Sequence, residues 1–406
     1  MMTATNLLIA PAAYLLAIAT AALLLRAVPK IARHLQHSGE SRYASIDGLR
    51  GYLAFGVFVH HSIITWIFLR TGVIDFPPSA FYSMLGQGSV ALFFMITGFL
   101  FWGRLLAQGR EFDWTAFGVS RVFRLYPLYL PLMLIVFITV FQLQGWELKV
   151  STVELLKQTL AWLTFDRPDV NLYPHTGMLI SNVTWTLAYE VFFYLALPLA
   201  GMVFIFRSNW RQVVLCLLGI YALYQVVGWE HSLKKHFLAS FLGGIAAAYW
   251  VRRPQLVAWS KTPLAGVVAL VALAIAFTAF NRAFKTQPLF LLSLFFVIVA
   301  SGNTLFGALK PRSIRWLGEI SYSTYLLHGF VLWLMVQRLP PALHLDGREA
   351  WVYLPLLAAC TCLLILISSA TFLYIEQPGM SAGRKVVQWL RQRQQGNKRI
   401  AEKAAR

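Results

Sequence analysis

Residues 41–61 read SRYASIDGLRGYLAFGVFVHH, and this stretch decides how the rest of the chain is read. It begins with a polar, basic edge (Arg42, Asp47, Arg50) and passes at once into an apolar segment that ends on two adjacent histidines, His60 and His61. On an α-helix Arg50 and His61 are about three turns apart, so they share one face with about 16 Å of rise between them. Asp47 falls near the same face, while His60 points about 100° away. One helix therefore sets an acid and a cation at a membrane edge and an imidazole about halfway across. Polar groups at that depth are costly, which makes His61 a functional candidate and His60 the weaker one.

The composition requires a membrane for this helix. The 406 residues are 58% hydrophobic and only 13% charged, which excludes an ordinary soluble domain. The net charge of +19 would suit nucleic acid, but the basic residues are dispersed among loops between apolar runs, so orientation in a bilayer explains them better and no nucleic-acid partner is expected. Cys216, Cys360 and Cys362 all lie in apolar segments and offer neither a disulfide framework nor a metal site. The first apolar run has no charged segment before it and Arg26, Lys30 and Arg33 after it, so it reads as a retained helix.

Apolar runs of about twenty residues give eleven expected spans: 5–26, 46–69, 81–103, 125–144, 183–206, 212–228, 237–251, 263–280, 288–309, 316–337 and 350–375. The fold class is all-α, a polytopic membrane bundle. With the first helix starting outside, 25 of the 35 Lys and Arg fall in inner loops and the tail, among them Arg42 and Arg207; the amino terminus is then outside and the carboxyl terminus cytoplasmic. Between Gly145 and Asn182 an outward loop holds an interfacial helix (Val153 to Phe165) and a turn-rich DRPDVNLYPH, long enough to cap a site and meet an external substrate. The basic tail after Glu376 suits an anionic cytoplasmic leaflet. Three regions result: 1–40 with the first helix and a linker, 41–380 as the membrane domain, and 381–406 as the tail.

Further polar residues lie in or beside the spans. Arg121 and Arg124, in FGVSRVFRLYPLYLP, share a helical face at the inner edge, either as positive-inside anchors or as a clamp for a phosphorylated substrate, with Tyr126, Pro127 and Tyr129 at its rim. Glu190, in NVTWTLAYEVFFYLALP, needs a partner at its depth, and Trp185 in the same motif is a substrate-binding candidate. In GEISYSTYLLHGFVLW, Ser321, Tyr325 and His328 share a face, as a structural network or as catalytic groups. Glu376 reads as an ion-pair partner for a basic loop. Gly88 and Gly98 read as packing positions.

Taken in order, IDGLRG with His61 beyond it, SVALFFMITGFL, RVFRLYPLY, WTLAYEVFFYLALP, LGEISYSTYLLH and IEQP resemble the acyltransferase 3 family of integral-membrane O-acyltransferases. The resemblance runs from about residue 44 to 380. It implies a ten-helix acyltransferase core, here with one extra N-terminal helix, in a bacterial inner membrane. It also implies an acyl-CoA donor from the cytoplasm, acetyl-CoA by family precedent, and an acceptor hydroxyl on a saccharide or glycolipid at the outer side. The family's essential Arg and His map onto Arg50 and His61, and its Arg-x-x-Arg motif onto Arg121 and Arg124. No hydrolase-like domain follows the last span, which favours direct transfer to a membrane-presented or small acceptor.

The expected mechanism has donor phosphates against Arg121, Arg124 and Arg50, and His61 as general base, oriented by Asp47 or Glu190; an acyl-imidazole remains open. Arg50, His328 or Tyr325 would stabilise the oxyanion. No metal is called for. The alternative is a proton-coupled transporter or flippase for a glycolipid or polysaccharide precursor, which would use the same buried groups as a relay without consuming a thioester.

Overall fold

A computed structural model describes residues 4–37, 43–206, 209–231, 233–338 and 350–404. Ser41, Arg42 and Arg207, and the last two residues of the tail, lie outside the described residues. All regular structure among the described residues is helical. The chain runs through α1 (Ala4–Ala27), α2 (Pro29–His37), α3 (Ala44–Thr71), α4 (Ala80–Gln108), α5 (Trp114–Leu143), α6 (Thr152–Leu163), α7 (Trp185–Phe204) and α8 (Trp210–His231). It continues with α9 (Lys235–Trp250), α10 (Pro254–Ser260), α11 (Pro263–Ala279), α12 (Thr286–Ala300), α13 (Arg312–Glu319), α14 (Ser321–Arg338), α15 (Ala350–Thr371) and α16 (Gln377–Ala404).

Seven helical segments among the described residues are long and apolar enough to cross a bilayer: those of α1, α3, α4, α5, α7 and α8, and the continuous run from α15 into α16. An eighth crossing results if α10 and α11, bent by 73° at their junction, act as one span. The other expected spans correspond to α9, α12 and α14, which have 16, 15 and 18 residues and are shorter than the roughly 20 that a lone straight span needs. Boundaries follow local chemistry. Asp113 caps α5 by accepting the Ala116 amide at 2.8 Å, and Ser151 does the same for α6 from Glu154 at 3.2 Å. At its far end α3 stops at Gly72, whose left-handed conformation (φ 69°) lets its amide reach the Phe68 carbonyl.

Small residues set the packing around α3. A Cβ on Gly51 would lie 2.6 Å from the Ile314 carbonyl, so α13 rests backbone to backbone on the first turns of α3, and α14 follows it along the same flank. On the α4 side, Gly244 of α9 abuts the Met95 carbonyl with no room for a side chain. The buried face of α1 is Ile9, Ala10, Ala13, Ala17 and Ala21, a stripe at three- and four-residue spacing that fits against α13 and α15. The expectation that Gly98 serves packing holds: it faces the Phe241 carbonyl of α9.

Two peripheral segments are fastened to α5, and the interfacial helix expected over Val153 to Phe165 is α6. Residues 145–182 form α6 and a short 3-10 helix (Thr176–Ile180), fastened to α5 through Tyr126 and Tyr129, whose hydroxyls donate to the Leu163 and Trp162 carbonyls at 2.9 and 2.5 Å. The buried Asn171 knits the turn by donating to the Gln144 side chain at 2.6 Å and to the Glu147 carbonyl at 2.8 Å. The tail is a continuous helix that leaves α15 through a π-helical turn (Phe372–Glu376) and packs Gly379 and Gly383 against Pro127 and Phe123 of α5. Arg391 then clasps Asp113 through two hydrogen bonds of 3.1 and 2.7 Å. The Ala116 amide first, and Arg391 second, hold the Asp113 carboxyl below the usual carboxylate range.

Candidate functional site

His61 sits where α3 passes α14, and its ring partner is His328. His328 Nε2 lies 3.1 Å from His61 Nδ1, and the ring centres are 4.9 Å apart. Each ring also reaches a carbonyl one turn back on its own helix, His61 Nδ1 to Val57 at 3.1 Å and His328 Nδ1 to Thr324 at 3.2 Å. Carbonyls only accept, so neutral His328 carries its proton on Nδ1 and offers Nε2 as an acceptor. His61 then donates its Nδ1 proton toward His328 and Val57, which leaves Nε2 of His61 as a free lone pair. His328 is fully buried. His60 faces α4 instead, its Nδ1 donating to the Tyr82 carbonyl at 2.9 Å, with Gly86 leaving space for the ring.

At the end of the bundle where α3 begins, a cavity of about 410 Å³ gathers Arg50, Arg121 and Arg124 with Glu190, Glu319 and Tyr325. The three guanidinium groups are positioned differently. Arg124 makes a 2.9 Å ion pair with Glu376, a fully buried carboxylate that the π turn carries inward and that also accepts from Ser323. Arg121 lies over the Phe101 ring, 4.6 Å from its centre. Arg50 lies 3.9 Å from Asp47. Glu190 accepts from Tyr194 at 2.8 Å and from Thr97 at 3.4 Å. Arg121, Arg124 and Met380 also line an adjoining cavity of about 430 Å³, whose other walls include Arg104, Arg384 and Arg391.

A third cavity, of about 860 Å³, opens at the opposite end, where α3 finishes. His61 and His60 line it, as do Trp185, Gln87, Phe237, the loop residues 76–79, and Asn281, Arg282, Phe284 and Lys285. Val90 and Tyr325 line both this cavity and the 410 Å³ one, so the two approach each other at those side chains. The Tyr325 hydroxyl is held by Thr186 at 2.9 Å and the Val183 carbonyl at 3.0 Å, and its ring centre is 6.0 Å from that of His328.

The structure thus brings together most of the residues singled out in the sequence and redistributes their contacts. Neither Asp47 nor Glu190 holds His61; His328 does, because fourteen residues of helix put Asp47 about 21 Å away along α3. Tyr126 and Tyr129 do not rim the Arg121/Arg124 clamp, since their hydroxyls point to the 145–182 segment; Tyr194 and Tyr322 take that place. No residue of 145–182 lines the far-end cavity, whose mouth is made by the α3–α4 and α11–α12 connections and the start of α9. Glu376 is an ion-pair partner, as expected, but for Arg124 within the bundle. Thr97, Tyr194, Tyr322, Ser323 and Arg384 went unread. Only Tyr194, one helical turn after Glu190, had a local signal. Among the described residues no three His, Cys, Asp or Glu side chains converge as a metal ion would need.

Comparison with known proteins bears on the chemistry. A family model for an acyltransferase domain, of acyltransferase family 3, matches residues 43–373. The exopolysaccharide production protein ExoZ of Rhizobium meliloti (strain 1021) is 26% identical over 313 residues, which are 74% of this chain and 91% of that protein. No solved structure matches.

Proposed function

The chain belongs to the acyltransferase 3 family and is a membrane O-acyltransferase, and from that premise we propose that it moves an acyl group, acetyl by family precedent, from cytoplasmic acyl-CoA to a hydroxyl of a cell-surface polysaccharide or its lipid-linked precursor. The observation that carries this reading is the approach of two cavities from opposite ends at Val90 and Tyr325, one lined by arginines and the other by His61. The arginine end is the cytoplasmic one by the charge bias of the loops, which leaves the amino terminus outside and the carboxyl terminus inside.

Phosphate-bearing donors suit this arrangement. Arg121 and Arg124 present guanidinium groups to the 410 Å³ cavity, and the adjoining basic cavity extends the same surface toward α16. Glu376 fixes Arg124 from behind, leaving its other donors for a ligand. The acyl thioester extends toward Tyr325. From the opposite side the acceptor hydroxyl approaches Nε2 of His61, which takes its proton while the oxygen attacks the thioester carbonyl. Collapse of the tetrahedral intermediate breaks the C–S bond, and the departing thiolate takes the proton from His61. His328 acts as a positioning residue throughout: it keeps the His61 lone pair on Nε2 and accepts from Nδ1–H as the imidazolium forms. Tyr325, which lines both cavities, is the donor placed to meet the developing oxyanion, whereas Arg50, eleven residues before His61 and so about 16 Å away along α3, belongs with the donor phosphates. The region 41–380 carries the reaction, with α1 as an added flank and α16 as a wall of the donor side.

The test is transfer from radiolabelled acetyl-CoA in inverted membrane vesicles, following label into protein, polysaccharide and lipid-linked sugar, for the intact chain and His61→Ala. Label in a glycan only when His61 is present is the expected result. Vesicles that move a glycolipid but consume no thioester across an acyl-CoA panel would replace this reading by transport.

A further inference from the structure

The far-end cavity carries charge of one sign. Lys234, Arg282 and Lys285 line it beside His236, and no Asp or Glu is among its lining residues. All three cations are exposed, and among the described residues none of them has an ion-pair partner. The acid closest along the chain to a lining residue is Asp75, and it accepts the amide of its neighbour Phe76 at 2.7 Å.

This placement runs against two general tendencies. Lys and Arg are depleted from the outer ends of membrane helices, yet three of them gather at this one mouth. Lys234 and Lys285 also stand at the N-caps of α9 and α12, where the helix dipole disfavours a cation, and neither first turn holds an acid to offset them. The donor phosphates do not account for these cations, because the arginines that suit them line the opposite end. Around the charges the cavity offers aromatic surface: the Phe237 and Phe284 ring centres are 4.3 Å apart, and His236 packs on Phe237 at the same distance. A pocket with broad aromatic walls, a few cations and a basic imidazole at its inner end fits a sugar that carries its own negative charge.

Building on the acyltransferase reading, we infer that the acceptor is an anionic saccharide, whose carboxylate or phosphate is held by Lys234, Arg282 and Lys285 while a nearby hydroxyl faces His61. The anion belongs either to the sugar or to the diphosphate of a lipid carrier; the recognition chemistry is shared, and the experiment separates the two.

The experiment uses the full chain in lipid nanodiscs with acetyl-CoA. Acceptors are the host's own envelope glycan after alkaline removal of ester groups, the same glycan with its carboxyls reduced to alcohols, the same glycan stripped of phosphate, and a polyprenyl-diphosphate-linked sugar. The expected result is transfer to the native glycan or the lipid-linked sugar that falls about tenfold or more once the relevant anion is removed. Replacing Lys234, Arg282 and Lys285 together by Gln should raise the acceptor KM by a similar factor, leave the acetyl-CoA KM in place and flatten the dependence of the acceptor KM on salt. Lys234→Arg with Lys285→Arg keeps both charges, so its acceptor KM should fall between those of the wild type and the Gln variant and keep its dependence on salt. Equal transfer to neutralised and native glycan, with an unchanged acceptor KM in the Gln variant, overturns the anionic acceptor while leaving the acyltransferase intact. Absence of thioester consumption with every acceptor overturns both.

Discussion

His61 and Arg124 are both intramembrane groups whose partner defines their chemistry, and the partners differ in kind. The imidazole of His61 meets a second imidazole, which can accept one hydrogen bond without adding a charge. Replacing His61 by Ala should lower transfer by about 10²-fold or more, the scale of a lost general base, with the protein still folded by size-exclusion and thermal unfolding. His328→Gln keeps an acceptor for Nδ1–H and should retain far more activity than His328→Leu; equal loss in both would mean that His328 does more than position. The arginines separate by the same logic. Arg124→Ala strands the fully buried Glu376 and should cost about 3 kcal/mol of stability as well as donor affinity. Arg121→Ala removes a cation that stacks on Phe101 and reaches the Glu190 carboxylate only at longer range, beside Tyr194, so it should raise the donor KM with a smaller loss of Tm than Arg124→Ala. An equal Tm loss would refute this division.

Helices here are placed by absent side chains as much as by present ones. Gly244→Ala drives a methyl into the Met95 carbonyl and should destabilise by about 1–3 kcal/mol, read by thermal unfolding in detergent, because neither backbone of the α4–α9 pair can retreat through a packed bundle. The clasp of α16 is weaker and nearer the surface. Asp113→Ala removes both the cap of α5 and the Arg391 contact, so about 1 kcal/mol of stability and faster hydrogen exchange in α16 are expected. Since the Asp113 carboxyl is held low, this contribution is complete at neutral pH and disappears only as pH falls through that depressed value. A tail that exchanged equally fast in the parent protein would show that the clasp does not hold it.

For the molecule as a whole, a basic end and a histidine-lined end predict opposite exposure across the membrane. In a background with Cys216, Cys360 and Cys362 replaced by Ala, Lys234→Cys and Arg384→Cys should react with an impermeant maleimide from opposite sides of sealed vesicles. Labelling from the same side would dismantle the two-sided mechanism.

Much of this architecture is written in short-range order. The apolar runs dictate a membrane bundle because unsatisfied backbone cannot cross hydrocarbon, and IDGLRG followed by His61 aligns Arg50 with the imidazole because helical geometry fixes their relative direction. The Arg121/Arg124 spacing fixes a shared face for the same reason. Helical periodicity says nothing, however, about which face of one helix meets which face of another. That His328 rather than Asp47 or Glu190 holds His61 follows from α14 crossing α3 at that depth, 267 residues apart in the chain. The 145–182 segment looked like a lid because its length and turns are visible in sequence, whereas the tyrosine hydroxyls that fasten it to α5 become visible only when α5 is oriented. The tail's amphipathic pattern fits a lipid surface or a protein groove equally well, and the seat of its first turns, Gly379 and Gly383 on Pro127 and Phe123, is visible only in the packed bundle. The sequence by itself determined the membrane class, the family and the chemical types of the site; the tertiary structure alone decided partners and cavities, because both depend on helix–helix contacts between residues far apart along the chain.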